Sequence, residues 1–151
     1  MTFDLDNIKP DVVEELKIDF LKDSEAKALC SEIRNEDFGV LNDKFQEAVQ
    51  FVLDNKDPYL CVSWGSDNKV VGLTVGRVDQ ADGIAYRDWR LVKPENHRQG
   101  VGSSMHQYET DKLKGMGVKT VYSEAVTDAG KKFLEKQSYN AAPDGWYYRD
   151  L

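Results

Sequence analysis

The stretch VKPENHRQGVGSSM, residues 92–105, decides how this chain is read. A proline stands two residues after the end of an apolar run, and a short polar bend follows. Two glycines separated by one residue then open a helix. At a strand-to-helix junction glycines let successive backbone N–H groups point outward, and missing side chains let an anion come close. The start of the helix dipole adds attraction for negative charge. Arg98, helped by Lys93 and His97, can supplement those amides. The segment reads as an anion cradle suited to phosphate, although a lone GxG is often only a tight turn.

On the N-terminal side of this segment the period of apolar residues changes from helical to alternating. Residues 16–21 (LKIDFL) alternate as a short strand. Asp23 or Ser24 can cap a helix striped by Ala26, Leu29, Cys30 and Ile33, and a second helix carries Phe45, Ala48, Val49, Val52 and Leu53. Residues 59–65, 69–78 and 84–92 then form a three-stranded antiparallel meander around the turns SDN and DQADG. On the C-terminal side a helix shows Val101, Met105, Tyr108, Leu113 and Met116. A strand at 118–126, a helix from Thr127 to about Gln137 and a last strand at 146–151 follow. The sum is an α+β domain.

Composition sets the outer bounds. At 151 residues and 17.2 kDa the chain is expected to be one domain, 1–151, with residues 1–15 as an N-terminal extension. A net charge of −7 and a pI near 4.9 argue against a nucleic-acid partner, which wants clustered Lys and Arg, and mildly favour a cationic acceptor. Cys30 and Cys61 have no CxxC spacing and read as buried free thiols in a reducing compartment. His97 and His106, the only histidines, lack partners for a metal site, so no metal is expected. The start MTFDLDNIKP has no signal-peptide pattern, and no apolar run approaches the roughly 20 residues a bilayer needs. A soluble cytoplasmic protein with no membrane partner is the expectation.

Three kinds of cradle compete. A nucleotide-triphosphate loop needs GK followed by Ser or Thr, but Ser103 and Ser104 follow Gly102. A dinucleotide fold needs a third glycine where Met105 stands, and it opens a parallel sheet rather than following a meander. The third is a resemblance: residues 91–105 resemble the coenzyme A-binding motif of GNAT acyltransferases. That motif is a strand ending V-x-P, a polar stretch, then [RQ]-x-x-G-x-[GA] opening a helix. Val92, Pro94, Gly100 and Gly102 match, while His97 stands where Arg or Gln is usual. The order of elements resembles the same family from about Leu16 onward.

The resemblance implies a GNAT-like fold, a mixed, mostly antiparallel sheet of six to seven strands flanked by about four helices. It implies acetyl-CoA as cosubstrate and a small-molecule or peptide amine as acceptor, with a homodimer as one oligomeric option. Backbone groups of Arg90, Leu91 and Val92 would hold the pantetheine arm. Amides of His97, Arg98, Gln99, Gly100, Val101, Gly102 and Ser103 would hold the diphosphate, and Thr127 takes the place of an Asn that touches pantetheine. In this family the strand ending at Val92 and the next one splay apart, with the thioester in the gap.

Attack on a thioester needs a neutral amine, so a carboxylate or a water chain must remove a proton first. Counting by twos from Val92 puts Asp88 and Tyr86 on one face, away from Trp89 and Leu91, and on the next strand Glu124 shares a face with Tyr122. Glu124 is the preferred base and Asp88 the second. Either carboxylate can instead be a surface acid, or pair with Arg87 or Arg90. Where many family members carry a tyrosine acid this chain has Leu134, and Ser138-Tyr139 replaces the usual Gly-Phe. Trp146, Tyr147 and Tyr148 either line an acceptor pocket or alternate between core and surface. With no cysteine in the motif, direct transfer is expected. The missing tyrosine motivates the alternative, a GNAT-like module that binds an acyl-CoA or a protein partner without turnover.

Overall fold

A computed structural model describes residues 17–97, 99–125 and 127–151; the expected extension at 1–15 lies outside them. In chain order the elements are β1 (Lys17–Lys22), α1 (Asp23–Ile33), α2 (Asn42–Asp54), β2 (Pro58–Trp64), β3 (Val70–Asp79), β4 (Ile84–Val92), α3 (Val101–Gly115), β5 (Thr120–Glu124), α4 (Asp128–Lys136), β6 (Asn140–Ala141) and β7 (Trp146–Asp150). The seven strands form one sheet in the order β1-β2-β3-β4-β5-β7-β6. β4 and β5 pair in parallel because the α3 crossover joins them, and the other pairs are antiparallel. This is the expected α+β class. Among the described residues no helix is long and apolar enough to cross a membrane.

Each face of the sheet carries its own core. α1 and α2 bury Ala26, Cys30, Ile33, Phe45, Ala48, Val49 and Val52 against Leu60, Val62, Leu73 and Val75. α3 and α4 cover the other face, where Leu113 and Leu134 meet Tyr59, Ala85, Val121, Tyr139 and Tyr147. Both cysteines are free and buried. Burial pushes the Cys30 thiol up to about 12, and the Cys61 thiol is also raised, first by burial and then by the charge of Glu109.

Among the described residues one of the four α-helices starts at a side-chain cap. Thr127 caps α4, its Oγ1 accepting from the Gly130 amide at 3.0 Å. The expected side-chain cap on α1 is absent: Lys22 holds the cap position without a side-chain bond, and Asp23 enters the helix with φ +54° straight from β1. The apolar stripe expected on α3 is also corrected. Val101, Met105 and Leu113 are buried, but Tyr108 and Met116 are only partly so, and His106, Glu109 and Thr110 take the inward places.

Strict alternation fails within β4, and the failure shapes the site. Val75 pairs with Trp89 and Gly76 with Arg87, so Asp88 is an extra residue, a β-bulge. Gly76 permits the close approach: a Cβ there would lie 2.1 Å from the Tyr86 carbonyl oxygen and 2.5 Å from the Tyr59 ring. Counting by twos from Val92 therefore gives the wrong face for Asp88 and Tyr86. Asp88 bonds Arg77, whose guanidinium lies 5.0 Å from the centre of the Tyr86 ring and 5.8 Å from that of Phe51 on α2. Asp88 and Tyr86 thus share the α1/α2 face with Trp89 and Leu91, while Arg87 bonds α3 on the opposite face.

Candidate active site

The β4–β5 ladder runs from Ile84 with Thr120 to Arg87 with Ser123, and there it ends. Beyond that pair β4 continues along β3 to Val92, while β5 stops at Glu124. A cleft of about 520 Å³ opens at the parting, lined by Asp88, Arg90 and Leu91, by Glu124 and Ala125, and by Thr127, Gly130 and Leu134 of α4. Another hollow of about 560 Å³, near Lys22, Asp57, Arg77 and Tyr86, borders no residue of the glycine segment and none of the expected site residues.

The edge of β4 that faces this cleft has no partner strand among the described residues. Lys93 N donates to Val71 O at 2.9 Å, which fixes the phase of the antiparallel ladder. Residues directly opposite then alternate between bonded and non-bonded pairs. Leu91 opposite Leu73 is a bonded pair, whereas Arg90 opposite Thr74 and Val92 opposite Gly72 are not. Peptide groups of Arg90 and Val92 therefore point toward the gap, and those of Leu91 are held by β3. The Val92 carbonyl also accepts from His97 Nε2 at 2.8 Å, tying the loop to the end of the strand.

In the loop, Lys93 and Pro94 carbonyls accept from the amides of Asn96 and His97 at 2.8 and 3.1 Å, so the His97 amide is engaged within the chain. Arg98 lies outside the described residues. The next amides differ: among the described residues those of Gln99, Gly100, Val101, Gly102 and Ser103 have no partner, and α3 has no side-chain cap. Gly100 takes φ +80° at the cap position, a conformation that costs an L residue roughly 1–2 kcal/mol. At Gly102 neither the backbone conformation nor the protein's own packing requires a glycine. A Cβ there would meet only the Phe133 ring, at an ordinary 3.7 Å. The protein itself leaves the ground in front of Gly102 empty.

Of the two carboxylates singled out as bases, Glu124 is exposed at the end of β5 with no ion-pair partner among the described residues. Asp88 accepts from Arg77 Nε at 3.1 Å and Nη2 at 3.2 Å. Burial nevertheless raises the Asp88 pKa, against the pull of Arg77. An aromatic wall stands near both on the α1/α2 face. Tyr86 stacks on Tyr122 at 5.6 Å and meets Trp146 edge-on, and Tyr148 tilts against Tyr122. Tyr147 points the other way into the core, so the run 146–148 alternates. Thr127 lines the cleft from the cap of α4, and Leu134 is buried where α4 meets it.

Sequence reasoning missed a buried polar cluster beneath the fork. Arg87 grips Glu109 of α3 through Nη2 at 2.7 Å and Nε at 3.1 and 3.2 Å. Tyr59 donates its hydroxyl to the same carboxylate. Arg87 also reaches Ser123 Oγ at 3.4 Å and the Tyr139 hydroxyl at 3.0 Å, and that hydroxyl is 3.0 Å from His106 Nε2. Burial opposes the Arg87 charge, but Glu109 first, then Tyr139 and Tyr59, outweigh it and hold its pKa above the ordinary value. Burial, then the charges of Arg87 and Arg90, hold His106 down to about 3, so the imidazole is neutral and can accept from Tyr139. The one available signal was Glu109 three residues after His106 on a helix with few apolar positions.

Arg90 completes the cleft. Its guanidinium lies 3.8 Å from the centre of the Phe133 ring, and Nη1 is shut from solvent without a hydrogen-bond partner. Burial, then the neighbouring charge of Arg87, hold its pKa down to about 10.

Comparison with known proteins follows the same lines. A family model described as "Acetyltransferase (GNAT) family" matches residues 26–139. No curated protein matches the chain. Among solved structures, Tetrahymena GCN5 is similar with a TM-score of 0.71 at 13% identity, over 89% of this chain and 96% of that one. A putative N-acetyltransferase from Lactobacillus plantarum gives 0.66 at 14% identity, over 90% and 98%. A PaiA N-acetyltransferase from Thermoplasma acidophilum, in complex with coenzyme A, gives 0.59 at 12% identity, over 89% and 99%.

Proposed function

Because the chain belongs to the acetyltransferase (GNAT) family, we propose that it transfers an acetyl or other acyl group from coenzyme A to a primary amine, by direct attack within a ternary complex. The observation that carries this reading is the line of amides at Gln99–Ser103, without partners among the described residues, leading into a cleft where β4 and β5 part. The diphosphate sits on those amides, supplemented by Arg98. The peptide groups of Arg90, the Val92 amide and Thr127 would hold pantetheine, and Leu91 contributes its side chain to the wall. The His97 imidazole braces the loop on the Val92 carbonyl.

The amine approaches from the face that carries Tyr86, Tyr122, Trp146 and Tyr148, an aromatic wall that attracts an ammonium group before it loses its proton. Glu124 takes that proton, because its carboxylate has no ion-pair partner among the described residues, whereas Asp88 is already held by Arg77. The N–C bond forms, the C–S bond breaks, and the second proton of the attacking nitrogen passes to the departing thiolate, so that coenzyme A leaves as the thiol; a thiol pKa of about 8.5 makes the thiolate a tolerable leaving group. The acceptor is a small-molecule or peptide amine.

A second reading, an acyl-CoA-binding module without turnover, is favoured by the Asp88–Arg77 pair and by Leu134 in the cleft wall. Thiol release from acetyl-CoA across a panel of amines separates the two. Turnover is expected, with Glu124→Gln lowering kcat/KM by roughly 10²–10⁴-fold and Asp88→Asn having the smaller effect. Coenzyme A binding with no turnover of any amine would favour the second reading. Turnover unaffected by Glu124→Gln would remove that residue as the base.

A further inference from the structure

One side of the sheet continues outward from the cleft without a cover. The core beneath α1 and α2 holds no residue beyond Leu91, so the same side of β5 and β7 lies outside it. Residues directly opposite in a ladder share a face, and the register therefore lays out what this side presents. Arg77, Tyr86, Tyr122 and Tyr148 stand in one row across four strands. Two residues along β5 in one direction Glu124 stands opposite Trp146, and two residues in the other Thr120 stands opposite Asp150. The three tyrosines and Trp146 are partly exposed, and the Tyr122 ring centre lies 5.6 Å from that of Tyr86 and 6.2 Å from that of Tyr148. At roughly 3.3 Å per residue the Glu124 and Asp150 rungs are about 13 Å apart, with this aromatic floor between them.

The charges on this side are uneven. Arg77 is held by Asp88, whereas neither Glu124 nor Asp150 has an ion-pair partner among the described residues. Asp150 Oδ1 accepts from Thr120 Oγ1 at 2.9 Å, which holds the carboxylate beside the floor. Lys44 lies over the Trp89 ring, three residues past Tyr86 along β4 and so across the tyrosine row from Asp150. Lys22 and Lys56 share the neighbouring hollow with Asp23, Asp57 and Asp79. Resting on the acyltransferase reading above, we propose that the acceptor is a linear diamine or polyamine. One nitrogen gives its proton to Glu124 and attacks the thioester, the polymethylene chain lies on the tyrosine rings, and a second nitrogen stays protonated at the Asp150 end. An exposed carboxylate alone holds a cation weakly, but ring faces attract an ammonium group as well as its methylenes. A peptide backbone laid on the same floor finds no strand edge, because β7 is paired on both sides, with β5 and with β6.

Calorimetry on the whole protein saturated with coenzyme A tests this with two matched pairs of ligands. The first compares 1,8-diaminooctane with 8-amino-1-octanol, in which a neutral hydroxyl replaces one ammonium group. The second compares the end-blocked peptides Lys-Gly-Gly-Gly-Lys and Lys-Gly-Gly-Gly-Gln. The readout is the affinity ratio within each pair, so that a general loss of affinity in a variant cancels. A diamine preference of roughly 5- to 30-fold is expected, beyond the roughly twofold that two equivalent ends give. Asp150→Asn, which can keep the Thr120 bond without the charge, and Tyr148→Leu should each cut it several-fold. Asp111→Asn, which removes the same charge from α3 on the opposite face, should leave it unchanged. No preference in the diamine pair, one found only in the peptide pair, one that either Asp150→Asn or Tyr148→Leu leaves intact, or one that Asp111→Asn lowers equally overturns the inference while leaving the acyltransferase reading intact. A dimer that Tyr148→Arg dissolves overturns it in the same way, since a second copy would then cover this face. Failure of coenzyme A itself to bind the native protein would overturn both.

Discussion

At the scale of single residues, two glycines separated by one position do different work. Gly100 supplies a left-handed backbone at φ +80°, and Gly102 leaves open the space that the proposed diphosphate would occupy, in front of amides without partners among the described residues. This separates stability from binding. Gly102→Ala reduces the freedom of the unfolded chain and meets only the Phe133 ring at 3.7 Å, so the variant should be more stable by about 0.5–1 kcal/mol in urea titrations. The added methyl should stand where the diphosphate approaches and weaken coenzyme A by about 10-fold or more in calorimetry. A variant that loses stability and keeps its affinity would mean that Gly102 serves the fold alone. These glycines were legible in the sequence because backbone conformation and missing side chains are local properties. The partners of Arg87 and Arg90 were not, since they come from α3 and α4 and depend on how helices land on the sheet.

Among the elements, β4 and α3 matter most, and sequence patterns served them unequally. Alternation located β4 but put Asp88 and Tyr86 on the wrong face, because a bulge leaves no mark on a count by twos; only Gly76 on the neighbouring strand hints at the close approach. The apolar stripe located α3, but its inward face carries Glu109 and His106, whose burial depends on Arg87 and Tyr139 from elsewhere in the chain. The Arg87–Glu109 pair joins α3 to the last residue of β4 that pairs with β5. Glu109→Gln strands a buried guanidinium and should cost roughly 3–5 kcal/mol. Replacing both partners, Arg87→Met with Glu109→Leu, should cost well below the sum of the single changes. A chemical-denaturation double-mutant cycle reads the difference, and strict additivity would mean that the two side chains do not depend on each other.

For the whole molecule, stability and site share the core beneath α3 and α4. His106 is buried and neutral, with its pKa lowered from 6.5 to about 3. In the unfolded chain it binds a proton below about pH 6.5, so stability is full above that pH and falls as pH drops toward 3, at up to about 1.4 kcal/mol per pH unit. Urea midpoints between pH 7 and 4 should show that slope, and His106→Gln should flatten it; an unchanged slope would mean that other groups set the acid limit. The order of elements was readable from local periodicity, whereas the fold and the parting of its strands followed only from the resemblance of the glycine segment and of that order to a known family. The charge pattern of the cleft was not, because it arises only when four distant segments meet. The central claim remains that backbone amides at the start of α3 hold a diphosphate. Its most direct measurement is the amide nitrogen–proton correlation spectrum during a coenzyme A titration. Saturable shifts concentrated at Gln99, Gly100, Val101, Gly102 and Ser103, extending to Arg90 and Val92, are the expected result, whereas a spectrum in which those amides stay still while coenzyme A is added would contradict it.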